Sequence, residues 1–438
     1  MRVLTPLLIA LGALSPLTPL NAGEAFGFGS TSRGGTGGKV LMVTRLDDDL
    51  ARPQPGMLRW ALSQDGPRII RFALAGTISL KDRIIVRQGQ VTIDGRDAPE
   101  QGICIRGGSL EFERCSDVIL RYFRVRLGDE TTLAKNRRAH LKRPKNSNGL
   151  DCINLSECQR VLLDHLSLSW CCDELLSVVR CQGVTAQWCL FSEPLSNAKV
   201  HPYGDHHAYC LNASASTLTV HHCLFARYVM RGPQFEANDM RKADKWAVKM
   251  EAISNVMFDY ERSGSRYTAG IEDHQKEAVG KSFQFQFLGN EYLDHDGPQK
   301  PVEIALKHGV ASNVRVGIDG NRTAQIQGIT PSSRLCVTEH GEALNKAPTS
   351  AQRQIQSKRL FTSPNPPPAD IIIDHLPTFL AYVGCSHARD SVDQRIISDV
   401  QRDKQHDPIK SQDSVGGWPA LDGRGIEPRP LADRLLRR

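Results

Sequence analysis

Acids crowd into residues 151–178 of the chain, DCINLSECQRVLLDHLSLSWCCDELLSV, with Asp151, Asp164, Asp173 and Glu174 among them. Asp151 and Asp173 fall at related places in two successive units of a repeated apolar pattern. Carboxylates brought together from adjacent units make an oxygen-rich pocket suited to Ca²⁺, which takes about 6–8 oxygens and tolerates irregular geometry. Acids at turns also occur simply as solvated residues, and that alternative stands beside the first. Asp164, next to His165, reads as a structural pair. Downstream lies HPYGDHHAY (201–209), a polar loop with three histidines. Zinc needs tetrahedral N/S ligands at fixed spacing, and this loop lacks a convincing third and fourth ligand. A third element is VMRGPQFE (229–236), in which Arg231 precedes Gly232 and Pro233. Proline fixes its own φ, so the turn holds the guanidinium in one place, one coil beyond the acids.

What positions these residues is a repeat. Six segments, ILRYFRV (119–125), LLDHLSL (162–168), TAQWCLF (185–191), TVHHCLF (219–225), AISNVMF (252–258) and FLGNEYL (287–293), share one alternating apolar pattern. Aligning Tyr122, His165, Trp188, His222, Asn255 and Asn290 gives spacings of 43, 23, 34, 33 and 35 residues. Self-similarity at such periods means stacked units that cannot bury their apolar faces alone. The two-residue alternation is that of a strand, so the stack is expected to be a parallel β-helix. The shortest interval is a near-minimal coil. Longer ones carry polar insertions at 128–148, 193–209 and 236–248, all lying between coils. The first holds a basic run, Lys135, Arg137, Arg138, Lys142, Arg143 and Lys145.

Composition agrees with a turn-rich β fold: aromatics are 6% of 438 residues, against 36 Gly and 24 Pro. The glycine-rich stretch 27–38 is followed by a strand pattern, KVLMVT (39–44), which argues against a phosphate cradle. The segment 55–72 reads as a short helix after Pro55, packed by Leu58, Trp60 and Leu62, then a strand; the helix would cap the open end of the stack. Formal net charge is +7. Five arginines among the last fifteen residues (Arg424, Arg429, Arg434, Arg437, Arg438) supply much of it. The body is thus only weakly basic, which suits an acidic polymer and does not suggest nucleic acid. The N-terminus, MRVLTPLLIALGALSPLTPLNAGEA, reads as an export signal over 1–22, since Pro16, Pro19 and the short apolar run fit a membrane span poorly. Twelve cysteines in an exported chain invite disulfides. However, Cys189 and Cys223 occupy the same step of consecutive coils, and Cys152 and Cys158 flank a short apolar strand. Both placements favour buried thiols, with some disulfides as the alternative.

The chain resembles the pectate lyases of polysaccharide lyase family 1. The resemblance runs from GFG and the LRWAL, GPRIIRF and GTISL segments through DHLSLSWCCDELLSV and HHCLFARYVMRGP. It resumes at YVGCSHARDSVDQRIISDVQ and VGGWP. It implies an all-β fold, a right-handed parallel β-helix with a short N-terminal capping helix and a partly helical C-terminal segment. It also implies Ca²⁺-assisted β-elimination of uronate polymers such as polygalacturonate. In that chemistry an arginine takes the C5 proton and the C4–O glycosidic bond breaks, leaving an unsaturated sugar end. Carried across, the metal ligands are Asp151 and Asp173 and the base is Arg231; Glu174, beside Asp173, is the third metal candidate from the acid cluster itself. The family's HxKG loop reads His201-Pro202-Tyr203-Gly204, so Tyr203 stands where a substrate-binding lysine is usual. The substrate-binding candidates are then His201 and Tyr203, with Lys199, His206 or the basic insertion at 135–145 as the compensating cations. Gln234, Phe235 and Glu236 follow the RxP motif where a second arginine is expected; Gly149 and Ser177 replace further carboxylates.

The expected organisation is a signal over 1–22, a β-helix lyase domain over 23–325 and a proline-rich extension over 326–380. A C-terminal segment packing on the β-helix covers 381–420, and a disordered basic tail covers 421–438. The expected protein is secreted or periplasmic and monomeric, with Ca²⁺ as cofactor and an acidic polysaccharide as partner, and with no nucleic acid and no membrane. A lyase-like binder of acidic glycan that has lost catalysis is the second reading, supported by the missing lysine. A β-helix hydrolase, which would need a separated acid pair, is the third.

Overall fold

A computed structural model of the chain describes residues 24–129, 150–198, 206–215, 217–236, 247–268, 282–293, 300–305, 314–323, 327–329, 336–338, 352–368 and 372–418. Short strands of alternating apolar residues bury one face each, and the chain winds them into three sheets. One coil runs Gln159–Asp164 in the first sheet, Ser167–Ser169 in the second and Glu174–Val179 in the third. The chain then returns to the first sheet at Gln182–Gln187, where Val184 pairs with Val161. The first, second and third sheets have 11, 10 and 9 strands. Neighbours pair in parallel, apart from Asn321–Thr323 against Gln327–Ile329. The result is a right-handed parallel β-helix with little helix. Its interior is a column of Val, Ile, Leu and Phe, with Phe191 stacked on Phe225 at 4.8 Å. Strand pairing continues past residue 325, since Cys336–Thr338 adds to the third sheet and Ile355–Gln356 to the first.

The corner between the first and second sheets is tight, and its first residue is left-handed: Tyr122, His165, Trp188 and His222 have φ of 57°, 55°, 53° and 51°. That conformation costs a non-glycine residue about 1–3 kcal/mol. The rings recover part of it by stacking: Tyr122 lies 4.7 Å from His165, and Trp188 4.7 Å from His222. The aligned ladder shifts register at Asn255. In the next coils the left-handed residues are Ser254, Gly289 and Gly320. Asn255, Asn290 and Asn321 take the following, inward position, in line with Cys223 rather than His222. There Asn255 Oδ1 accepts from Cys223 N at 2.9 Å and Asn290 Oδ1 from Asn255 N at 3.0 Å. An inward amide can satisfy buried backbone groups that the narrow corner leaves unpaired, which a ring cannot do.

The eleven cysteines with described side chains are all free and buried. Cys158 and Cys181 stack at the corner leading back to the first sheet, where Cys158 N donates to Cys181 Sγ at 3.3 Å. At the N-terminal end the helix Leu58–Ser63 buries Leu58, Ala61 and Leu62 against the first coil. The stretch 27–38 lies flat across the first sheet and donates to Thr219, Thr185 and Thr92. A Cβ on Gly35 would sit 1.8 Å from Arg68 O, so only glycine allows that approach. The C-terminal helix Ser391–Gln401 buries Val392, Ile396, Ile397 and Val400. It covers the outer face of the second sheet, next to Leu190, Leu224 and Phe258. Its start is pinned by charge, because Arg126, fully buried, meets Asp390 at 2.8 Å and Asp393 at 2.9 Å. Among the described residues no helix is long and apolar enough to cross a membrane.

Candidate active site

The site lies at one corner, where successive coils enter the third sheet. Asp151 precedes the strand Ile153–Ser156, and Asp173 and Glu174 open the strand Glu174–Val179. His207 precedes Tyr209–Ser214, and Arg231 precedes Gln234–Glu236. Because the strands are in register, anything at this corner stacks on its counterpart in the next coil. The register places Asp151 level with Glu174 rather than with Asp173: Glu174 N donates to Asp151 Oδ1 at 3.0 Å, and Cys152 N donates to Glu174 O at 3.1 Å. Arg231 belongs to a coil two beyond Glu174, one farther than its spacing suggests, because the strand Tyr209–Ser214 intervenes. Its guanidinium passes 4.2 Å over the Tyr209 ring, and Nη1 donates to Glu174 Oε1. Arg231 itself is left-handed, with φ 70°.

All three acids are 6% exposed or less. Burial, and then the charge of Asp173, pushes Asp151 up to about 8, although the Glu174 amide, Asn154 and Ser177 bond to it. The same two causes hold Glu174 well above the usual carboxylate range, against the pull of Arg231. Burial lowers Arg231, but Glu174, Glu236, Tyr209 and Asp173 together outweigh it and leave the guanidinium more firmly charged than usual. Carboxylates so crowded that they resist ionising fit a divalent cation. The structure also adds a residue to the cluster: His207 Nε2 meets Asp173 Oδ1 at 2.7 Å. One donor atom each from Asp173, Glu174 and His207 lie within 4.8 Å of one another. Nothing in local spacing links His207 to acids more than thirty residues earlier; only the coil register does.

Lys199, His201, Tyr203, Gly149 and the basic run at 135–145 lie outside the described residues. His206 has both ring nitrogens engaged, Nδ1 with Ser196 Oγ at 2.6 Å and Nε2 with Glu261 Oε1 at 2.7 Å. Asp164 and His165 form the expected pair at 2.6 Å, buried within the coil. Starting beside Asp151, the outer face of the third sheet carries a polar row in register: Asn154, Ser177, Asn212, Gln234, Arg266 and Glu303. Gln234 Nε2 donates to Asn212 Oδ1 at 3.1 Å, and Arg266 Nη1 to Gln234 Oε1 at 2.8 Å. A guanidinium is therefore present one coil after Gln234. The alternation of strand residues could have signalled Arg266, but the repeat segment of its coil, AISNVMF, stops short of the third-sheet strand Ser263–Thr268.

The chain is 28% identical over 445 residues to the "Probable pectate lyase C" of Neosartorya fischeri, covering 97% of this chain and 90% of that protein. The chain is a homologue of the pectate lyases. A shorter stretch of 157 residues is 34% identical to the pectate lyase of Lilium longiflorum, 35% of each chain. Among solved structures, a thermostable pectate lyase superposes with a TM-score of 0.51 at 12% identity, over 85% of this chain and 98% of that one. A pectate lyase bound to hexasaccharide matches with a TM-score of 0.51 at 12% identity, over 86% of this chain and all of the other. At such identity these two support the fold alone. No protein-family model matches. The protein is accordingly a lyase homologous to the pectate lyases.

Proposed function

We propose that the protein is an exported enzyme that cleaves uronate polymers of the polygalacturonate kind by Ca²⁺-assisted β-elimination, with Arg231 as base. The observation that carries this reading is one corner of the third sheet. There Asp151, Asp173 and Glu174 converge and Arg231 reaches Glu174 across two coils. In the reaction Arg231 first gives up a guanidinium proton to solvent, which a divalent cation on Asp173 and Glu174 would favour by cancelling the charges that hold it, and as the neutral base it then removes the proton at C5 of the uronate. The C5 electron pair forms the C4=C5 double bond, and the C4–O bond breaks. Asp151, Asp173 and Glu174 would hold Ca²⁺, which when bound supplies positive charge beside the substrate carboxylate and the charge developing at C5. Turnover by this route requires Arg231 to part from Glu174, so their pair belongs to the resting site. Arg231 Nε is buried with no hydrogen-bond partner among the described residues, leaving donor capacity for an incoming carboxylate. The row from Asn154 to Arg266 supplies hydroxyl, amide and guanidinium groups along the same face, and Arg266 stands in for the second arginine that Glu236 displaces. Lys199, His201, Tyr203 and His206 remain substrate-side candidates. The apolar N-terminus supports export, to a secreted or periplasmic location.

The test is an ultraviolet assay for unsaturated uronate ends on polygalacturonate and a panel of other acidic glycans. Absorbing product that forms with Ca²⁺ and disappears on chelation is expected. New reducing ends without that absorbance would identify a hydrolase instead. Tight glycan binding with neither product would leave only the binder.

A further inference from the structure

We propose that His207 is a metal ligand with Asp173 and Glu174, and that this one-nitrogen, two-carboxylate set prefers a first-row transition divalent ion such as Zn²⁺ or Mn²⁺ to Ca²⁺. The inference rests on the metal-site part of the proposed function and changes the class of ion. Ca²⁺ is bound by oxygen, whereas an imidazole suits Zn²⁺ and its first-row neighbours. The donor atoms of Asp173, Glu174 and His207 lie within 4.8 Å of one another, about the span of ligands around one ion. Two features separate this histidine from the one beside it. His206 is tied on both sides to Ser196 and Glu261, away from the acids. His207 turns instead to Asp173, and its ring lies 3.9 Å from that of Tyr209. Tyr209 also carries the Arg231 guanidinium on its ring. One aromatic side chain thus positions both the nitrogen donor and the cation that competes for Glu174. Two carboxylates and a neutral imidazole carry two negative charges, which a divalent ion cancels. The His207 side chain is 12% exposed, so an ion can enter.

Metal-stripped full-length protein would be titrated with Co²⁺, read by its visible absorbance, and with Zn²⁺, Mn²⁺ and Ca²⁺ by calorimetry. One Co²⁺ should bind per chain with absorbance indicating a nitrogen ligand. His207→Gln should weaken Co²⁺ and Zn²⁺ by about 100-fold or more and Ca²⁺ by less than about threefold. His207→Asp, which swaps nitrogen for oxygen, should move the preference toward Ca²⁺; it also serves if the glutamine variant does not fold. Co²⁺ affinity and absorbance unchanged in both variants would overturn the proposal, as would Ca²⁺ binding tighter than Zn²⁺ to the unaltered chain. The lyase reading fails separately: Co²⁺ binding that depends on His207 but yields no unsaturated product with any ion keeps this site and removes the reaction. Unsaturated product with Ca²⁺ and no His207-dependent Co²⁺ binding does the reverse.

Discussion

Charge at the corner is out of balance until something positive arrives. Asp151, Asp173 and Glu174 are buried together, and within reach among the described residues are one guanidinium, already spent on Glu174, and one imidazole. Arg231→Lys should lower turnover by about 10²–10⁴-fold, the range for a positioned proton-transfer group, measured as the rate of unsaturated product. A lysine ammonium cannot reproduce a guanidinium held flat over Tyr209, so a fully active variant would remove Arg231 as base. The pH dependence has a definite sign. Asp151 titrates near 8 when folded against an ordinary 3.8, so the metal-free native state holds a proton that the unfolded chain has already lost. Stability of the metal-free protein should therefore fall as pH rises from about 4 to about 8. Added divalent ion should restore it, read as melting temperature across that range. A melting temperature that rises over the same interval without metal would show that Asp151 is ionised when folded.

At the scale of elements, the corners carry more information than the strands. Strand alternation and the six apolar segments suffice for a parallel stack, because any such pattern can bury an alternating face only against its neighbours. The ladder of Tyr122, His165, Trp188 and His222 was legible for the same reason, since rings at equal positions in successive coils stack. Asn255 and Asn290 were misaligned by one residue because spacing does not tell a left-handed ring from an inward amide; hydrogen bonds do. Asn290→Ala tests that ladder. It strips acceptors from Asn255 N and Nδ2 and a donor from Ala252 O, all buried. Unsatisfied buried groups cost about 1–3 kcal/mol each, so a loss of at least about 2 kcal/mol in urea unfolding is expected. Unfolding of Asn290→Ala at the same urea concentration as the parent would show that the ladder does not stabilise the corner.

For the whole molecule, the C-terminal chain is the piece that closes the second sheet. The helix Ser391–Gln401 is legible in the chain itself, since Val392, Ile396, Ile397 and Val400 recur at helical spacing and are the residues it buries. Its docking partner is not, because Arg124 and Arg126 sit in a strand whose alternation gives no hint that their guanidinium groups are fully buried. Breaking a buried ion pair by removing one partner costs about 3–5 kcal/mol, whereas replacing both with apolar residues is often neutral. Asp393→Ala should thus destabilise by that amount in equilibrium unfolding, and Arg126→Met combined with Asp393→Leu should recover much of it. If the single variant unfolds like the parent, this network does not fasten the helix. The same C-terminal chain reaches the active-site side, where Gln412 Oε1 accepts from Asp129 N at 3.1 Å and Trp418 meets Trp170 edge-on at 5.6 Å.

By itself the sequence determined that alternating segments must stack, that their cysteines could be thiols, and that Asp151, Asp173 and Arg231 are the candidates for chemistry. Each follows from a local pattern of burial or charge. Only the tertiary structure decided that Asp151 lies level with Glu174, that Arg231 crosses Tyr209 to reach it, and that His207 joins the acids. Those contacts are set by how many residues each coil takes before the next strand begins, a length that no single motif records.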